Sequence, residues 1–290
     1  MYRAGVRRFR RFCARLDLLP RPATELSVLR YISHRVSRGA SATAISSDLA
    51  GIRQWHVRRG AAWVGRTDRI RLALRGAAKR PRPLRRPRIA ATPGHLRALH
   101  AELRHSALSP RDRAAAWAAV LLGFFGAMRG SEYLAPAAHS FAPRRTCQWR
   151  HLRIRSSRLE LTLPASKTDQ MYAGSLVSLP RLTGVTCPVR AMKKYRRLCP
   201  ERSPTLPLFQ RSDGRFCTPG WLNGVLRKAA LDPHGRLTTH SLRIGFATAA
   251  AAAGVPDNVI RISGRWRGAS YLRYVRGPRL SVWEACRAIA

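Results

Sequence analysis

Acidic residues are scarce in this chain: 14 Asp and Glu stand against 55 Lys and Arg in 290 residues, for a formal net charge of +41. The deficit is not confined to a tail. Residues 1–89 carry 23 basic and 4 acidic side chains, and residues 90–290 carry 32 and 10. A field of one sign along the whole chain draws a polyanion, either nucleic acid or an anionic membrane surface. Long apolar runs are absent too, since none approaches the ~20 residues that a spanning helix needs. The arginine-rich N-terminus lacks the apolar core of a signal peptide. Together these point to a soluble, intracellular protein with no membrane partner, nuclear in a eukaryotic host and cytoplasmic in a bacterial one. Paired cysteines are missing as well. Cys13, Cys147, Cys187, Cys199, Cys217 and Cys286 lie far apart, which argues against a zinc site or a disulfide framework and predicts reduced structural thiols. No metal and no cofactor are expected. Lysine is also rare, at five of the 55 basic residues. Part of the charge can therefore reflect coding preference, and charge alone does not establish a partner.

What is present is a two-part organisation. Residues 24–38 read as an amphipathic helix with Thr24 as N-cap, Leu26, Leu29 and Ile32 as its apolar stripe and Gly39 beyond its end. A second helix, capped by Thr43, repeats Ile45, Leu49, Ile52 and His56 at helical spacing. A third covers Asp68–Lys79. Residues 1–79 thus form an all-helical unit. The segment 80–89 then packs Arg80, Arg82, Arg85, Arg86 and Arg88 among three prolines, a composition that favours an extended linker. It reads either as a solvated hinge or as a strap along a phosphate backbone.

Residues 90–290 form the second unit. Thr92-Pro93 and Ser109-Pro110 each place a capping side chain before proline at the first helical position, and the second helix ends near Phe125. Alternation at 152–155, 159–163 and 175–179 predicts a small antiparallel sheet. Helices resume at 188–198, at 219–230 and at 239–253, the last behind Thr238 and closed by Gly254. The fold class is therefore mainly α with a small antiparallel β-sheet.

Several side chains in this second unit could carry chemistry. Arg129 follows an apolar run, where a charge is unfavourable unless paired, and Glu132 lies three residues on. The two form either a structural ion pair or a preorganised fork for phosphate oxygens. His240 and Arg243 share one helical face. The spacing alone is weak, because His56 and Arg59 repeat it. Trp266 is by default a core aromatic, although its indole N–H can donate to a phosphate oxygen. Tyr274, or its neighbour Tyr271, becomes a nucleophile only where cations stabilise phenolate and a base takes the proton, since an ordinary tyrosine pKa is ~10. Lys167, a lysine in a polar hairpin of an arginine-rich chain, suggests a transferable proton.

In this order the motifs resemble the tyrosine recombinase (phage integrase) family. Gly126-Ala-Met-Arg129-Gly-Ser-Glu132 looks like the family's first arginine box, and Leu163-Pro-Ala-Ser-Lys167-Thr-Asp like its hairpin lysine. Thr239-His240-Ser-Leu-Arg243 is similar to its second box, and Gly264-Arg-Trp266 and Ser270-Tyr-Leu-Arg-Tyr274 to the segments with the final His/Trp position and the nucleophile. The eight-residue step from Trp266 to Tyr274 is like that of crypton and DIRS-type mobile-element recombinases, and selects Tyr274 over Tyr271. The resemblance implies a helical core-binding (SAM-like) domain at 1–79 and a catalytic domain at 90–290, closing as a C-shaped clamp on double-stranded DNA and working as a homo-oligomer, a tetramer on DNA. It implies Arg129, Lys167, His240, Arg243, Trp266 and Tyr274 as catalytic residues supported by Glu132, with the linker arginines on DNA. The implied activity is site-specific recombination or integration through a 3′-phosphotyrosyl intermediate. The alternatives are a relaxing enzyme like type IB topoisomerases and an inactive DNA-binding derivative.

Overall fold

The computed structural model describes residues 3–80, 89–165, 174–229 and 236–273. The chain divides into two compact units, Met1–Arg86 and Pro87–Ala290.

The first unit holds α1 (Arg3–Arg15), α2 (Glu25–Ser37), α3 (Ala42–Val57) and α4 (Asp68–Lys79). Helix α1 is an addition to the sequence-based expectation, which placed no element before residue 24. Its Phe9, Phe12 and Cys13 are buried against Val28, Tyr31, Ile45, Leu49 and Ile52, with the Phe9 and Tyr31 rings edge to face at 5.1 Å. Thr24 caps α2 by accepting from the Ser27 N–H, as expected. Two details differ. Ser41, not Thr43, caps α3, its hydroxyl accepting from the Ala44 N–H. Leu26 is 57% exposed, because α2 turns Val28, Tyr31 and Ile32 inward and leaves Leu26 on the opposite side. The repeat in α3 is core throughout. His56 is fully buried, its Nδ1 donating to the Ile52 carbonyl and its Nε2 accepting from the Ala23 N–H. Inside the unit Asp48 is the one buried acid among the described residues. Its carboxylate accepts from Arg8, from Arg35 Nε at 3.1 Å and from the Tyr31 hydroxyl at 3.0 Å. Three helices are thereby tied at one point, which satisfies a charge that burial would otherwise penalise.

The second unit opens with α5 (Pro93–His105) and α6 (Pro110–Phe125), whose caps Thr92 and Ser109 act as expected. A short α7 (Gly130–Tyr133) follows, then the antiparallel β1 (Leu152–Ile154), β2 (Arg158–Leu163) and β3 (Ser175–Pro180) in the order β1-β2-β3. Leu159, Leu161 and Leu163 of β2 alternate onto the buried face, and Leu159 and Leu161 sit opposite Leu179 and Val177 of β3. The remaining helices are α8 (Pro188–Arg197), α9 (Pro219–Lys228), α10 (Thr239–Ala252) and α11 (Asp257–Ser263). Beyond its charged first turn, helix α6 is apolar on every face from Ala114 to Phe125 and packs against α5, α8 and α10, so the chain leaving its C-terminal end starts from a fixed position. The fold class thus matches the expected mainly α architecture with one small sheet. Cys13, Cys147, Cys187, Cys199 and Cys217 are buried free thiols. Lys167, Tyr274, Arg82, Arg85, Arg86, Arg88 and Cys286 lie outside the described residues. Arg80 lies on the surface at the end of α4.

Candidate nucleic-acid cleavage site

Three segments of the sequence meet in the second unit, and each is placed by a local device. Helix α6 ends in a two-bond turn, with the Ala127 N–H donating to the Phe124 carbonyl and the Met128 N–H to the Gly123 carbonyl. That closure puts Ala127 in the left-handed region, at φ 45°, and turns the Gly126 and Ala127 carbonyls toward the arginines described below. Arg129 comes next and caps α7. Its Nη1 donates to Glu132 Oε1 at 2.6 Å, and its backbone N–H donates to Oε2 at 2.9 Å. Gly130 admits the neighbouring segment: a Cβ here would lie 2.9 Å from the Thr239 hydroxyl. Without a side chain at 130, the Arg129 segment sits directly on the start of α10, which carries His240 and Arg243.

Arg243 is 1% exposed. It donates to the Ala127 carbonyl and, through Nη2 at 2.7 Å, to the Gly264 carbonyl, so one guanidinium binds the turn after α6 to the turn after α11. Its flat face is covered by the Trp266 ring, whose centroid is 4.1 Å from Cζ, a cation–π contact in a water-poor setting. Gly264 is needed for this stacking, because a Cβ there would fall 1.7 Å from the Trp266 ring. Trp266 thus packs as an arginine lid in a small cluster with Ala127, Ala247, Ile260 and Tyr271. His240 is half-buried on the first turn of α10.

Tyr271 is spent on structure. Its ring is buried beside Trp266 at 6.1 Å, and its hydroxyl donates to Asp257 Oδ2 at 3.3 Å. It lies on a 3-10 turn, Ala269–Arg273, and Tyr274 is the next residue of the chain. Tyr271→Phe is expected to cost about 1 kcal/mol of stability, the worth of one hydrogen bond. Thermal melts check it.

One residue at the centre escaped the sequence reading. Arg265, between Gly264 and Trp266, donates to Glu132 Oε2 at 3.2 Å and to the Gly126 carbonyl at 3.1 Å. Glu132 is therefore held by two arginines while only 2% exposed. Burial by itself would raise its carboxyl, but the Arg265 charge and the bonds from Arg129 outweigh it, and the group sits below the usual carboxylate range. Burial in turn lowers the Arg265 guanidinium, against the pull of Glu132. The signal that could have found Arg265 is its place just past the end of a helix, where glycine is customary.

The first unit carries a second basic feature that sequence reasoning missed together with α1. Exposed Arg7, Arg10 and Arg11 of α1 line a groove of about 770 Å³ with Trp55 and Arg58 of α3 and the segment beyond it. Among the described residues no cluster of three His, Cys, Asp or Glu side chains could hold a metal ion, and no helix is long and apolar enough to cross a membrane.

No protein-family model and no curated sequence matches the chain. Its structure, however, is similar to several solved ones. The Tn1549 transposon integrase in complex with transposon right-end DNA superposes with a TM-score of 0.61 at 15% identity, over 99% of this chain and 91% of that one. A lambda integrase dimer bound to a COC′ core site gives 0.59 at 15% identity, over 97% and 89%. The XerH site-specific recombinase bound to its difH substrate gives 0.58 at 14% identity, over 93% and 70%. The chain has the fold of the tyrosine recombinases and integrases.

Proposed function

We propose that the protein is a site-specific DNA recombinase that cleaves and rejoins strands through a 3′-phosphotyrosyl intermediate. The observation that carries this reading is the convergence around Arg243: one buried guanidinium bridges Ala127, two residues before Arg129, and Gly264, two residues before Trp266. Such a cluster of cations, fixed before substrate arrives, suits a reaction whose transition state gathers negative charge on phosphate oxygens. Arg129 and Arg243 take the nonbridging oxygens, with Trp266 beside them. The Tyr274 hydroxyl attacks phosphorus and gives its proton to His240. The bond from phosphorus to the 5′ oxygen breaks, and Lys167 protonates that oxygen. A 3′-phosphotyrosine and a free 5′-hydroxyl result. Attack by the 5′-hydroxyl of a second strand reverses the step and completes exchange, with the phosphoester bond conserved throughout. Glu132 takes part by orienting Arg129.

In this reading the first unit is a core-binding domain, whose α1 groove with Arg7, Arg10 and Arg11 lies along the phosphate backbone together with the linker arginines. The active form is a homo-oligomer on double-stranded DNA, a tetramer at exchange. The test is covalent capture of the protein on nicked duplexes that tile the DNA flanking its gene, where loss of the short fragment bearing the released 5′-hydroxyl traps the intermediate. Exchange of strands between two duplexes supports a recombinase; relaxation of supercoiled plasmid without any exchange product reassigns the protein as a relaxing enzyme. Backbone contacts of this kind release counterions, so affinity should fall steeply with salt. For six or more phosphate contacts the loss from 50 to 200 mM salt is about 10³-fold. A salt titration of duplex binding checks it, and a flat response removes the phosphate-clamp role from both units.

A further inference from the structure

We infer that Arg265 is a positioning residue that locks Glu132, and through it the Arg129 guanidinium, in the geometry needed to receive a phosphate. The inference rests on Arg129 being the phosphate-binding group of the proposed reaction. Its basis is a residue in the wrong place for its backbone. Helix α11 ends with the Arg265 N–H donating to the Ile262 carbonyl at 2.9 Å and the Trp266 N–H to the Arg261 carbonyl at 3.0 Å. This closure forces Arg265 to φ 56°, a conformation that L side chains adopt at a cost. Helix α10 ends with the same pair of bonds, Gly254 to Ala251 and Val255 to Ala250, and there the left-handed position, φ 75°, is filled by glycine. At α11 the chain accepts strain to keep a side chain, and backbone strain of this kind collects where function demands it.

What the side chain does is specific. Nη1 donates to the carbonyls of Gly126 at 3.1 Å and Ser263 at 3.0 Å, and Nη2 to the Ala127 carbonyl at 3.4 Å and Glu132 Oε2 at 3.2 Å. Three of these four acceptors belong to the 126–132 segment and flank Arg129 on both sides. The carboxylate that Arg265 grips is the one that takes Arg129 through both Nη1 and the backbone N–H. Arg265 is 16% exposed, against 26% for Arg129, so it sits behind the fork while Arg129 has the greater access to solvent. A lysine could not replace it fully, because one ammonium cannot serve four acceptors divided between two fork nitrogens.

The groups facing Glu132 are Arg129, Arg265, Cys147, whose thiol donates to the Glu132 carbonyl at 3.1 Å, and the neighbouring phenol of Tyr133. Burial raises both the thiol and the phenol, so the arginines supply the charge that keeps Glu132 ionised. Loss of Arg265 removes the charge that does most to offset burial. The Glu132 carboxyl then titrates at higher pH, and Arg129 loses its anchor as pH falls through that value.

Arg265→Gly suits the φ of this position and isolates the side chain. Cleavage of a nicked duplex should fall about 10²-fold, the scale of an ångström-size misplacement of a reacting group, with duplex affinity within about threefold and the acid limb of the rate profile displaced to higher pH. Arg265→Lys should restore the position of the acid limb but only part of the rate. The double variant Arg265→Gly with Glu132→Gln should be no slower than the slower single variant, because residues in one network are not additive. Wild-type rate and pH profile in Arg265→Gly overturn the proposal, and so does a multiplicative loss in the double variant. If the unsubstituted protein cleaves no duplex, the proposed activity falls by itself. The Arg265–Glu132 coupling is then read from melting temperatures across the pH range, where additive single-variant shifts overturn it.

Discussion

Tyr274→Phe is expected to abolish covalent attachment to nicked duplexes while leaving duplex affinity within about twofold. Phenylalanine keeps the ring and removes the hydroxyl that attacks phosphorus in the proposed reaction, so no smaller rate through the same path remains. The substitution removes a hydroxyl and no basic side chain, and the basic side chains are what neutralise phosphates. The phosphate contacts that set affinity are therefore unaffected. The measurement is a denaturing-gel shift of end-labelled duplex beside a native binding titration. The neighbouring phenol provides the contrast: Tyr271 is bonded to Asp257 and buried beside Trp266, so the Tyr271→Phe protein should still be captured. Capture of the Tyr274→Phe protein at the unsubstituted level would move the nucleophile elsewhere.

Arg243→Ala should damage both stability and chemistry. With the guanidinium gone, the Ala127 and Gly264 carbonyls lose the donor that bridges them, and the Trp266 ring loses the surface it covers. Unsatisfied buried acceptors and a residual cavity together cost about 3–5 kcal/mol, read from urea unfolding. Cleavage should fall at least about 10³-fold at temperatures where the variant is folded, since the proposed reaction relies on this fixed charge at its transition state. Arg243→Lys tests the division between the two effects. It keeps the charge but cannot reach both carbonyls while presenting a flat face to Trp266. It should recover part of the cleavage rate and less of the stability. Unchanged stability in Arg243→Ala would contradict the bridging role.

Glu132 gives this site a pH dependence of defined sign. A carboxyl held below its unfolded value contributes stability at pH above that unfolded value, and the contribution disappears as pH falls through the folded value. Because Arg265 and Arg129 depress Glu132, the site is held together near neutrality and loosens in acid.

The parts of this account that could be read from sequence are those fixed within a few residues. Thr24, Thr92 and Ser109 announce helix starts because a capping hydroxyl bonds an N–H three positions on. The sheet is legible because Leu159, Leu161 and Leu163 alternate, and the Arg129–Glu132 pair because its spacing is helical. The hidden parts depend on long-range packing. Leu26 and Val28 are equally apolar as letters, and only the packing of α2 against α1, α3 and α4 decides which is buried. Helix α1 was obscured by the arginines between its phenylalanines, although Phe9 and Phe12 stand one turn apart. The Asp48 node joins residues 40 and 13 positions away, and Arg265 reaches Glu132 across 133. Neither contact leaves a local pattern, beyond an arginine where a helix end would ordinarily take glycine.

The most direct test of the central claim is the chemical identity of the trapped linkage. Nicked duplexes tiling the DNA that flanks the gene are incubated with the unsubstituted protein, the adduct is digested with protease and nuclease, and the modified peptide is sequenced by mass spectrometry. The account predicts a nucleotide joined through its 3′ phosphate to Tyr274, with a free 5′-hydroxyl on the released strand. A linkage to another residue, a 5′-phosphate attachment, or tight binding with no covalent adduct on any duplex would contradict it.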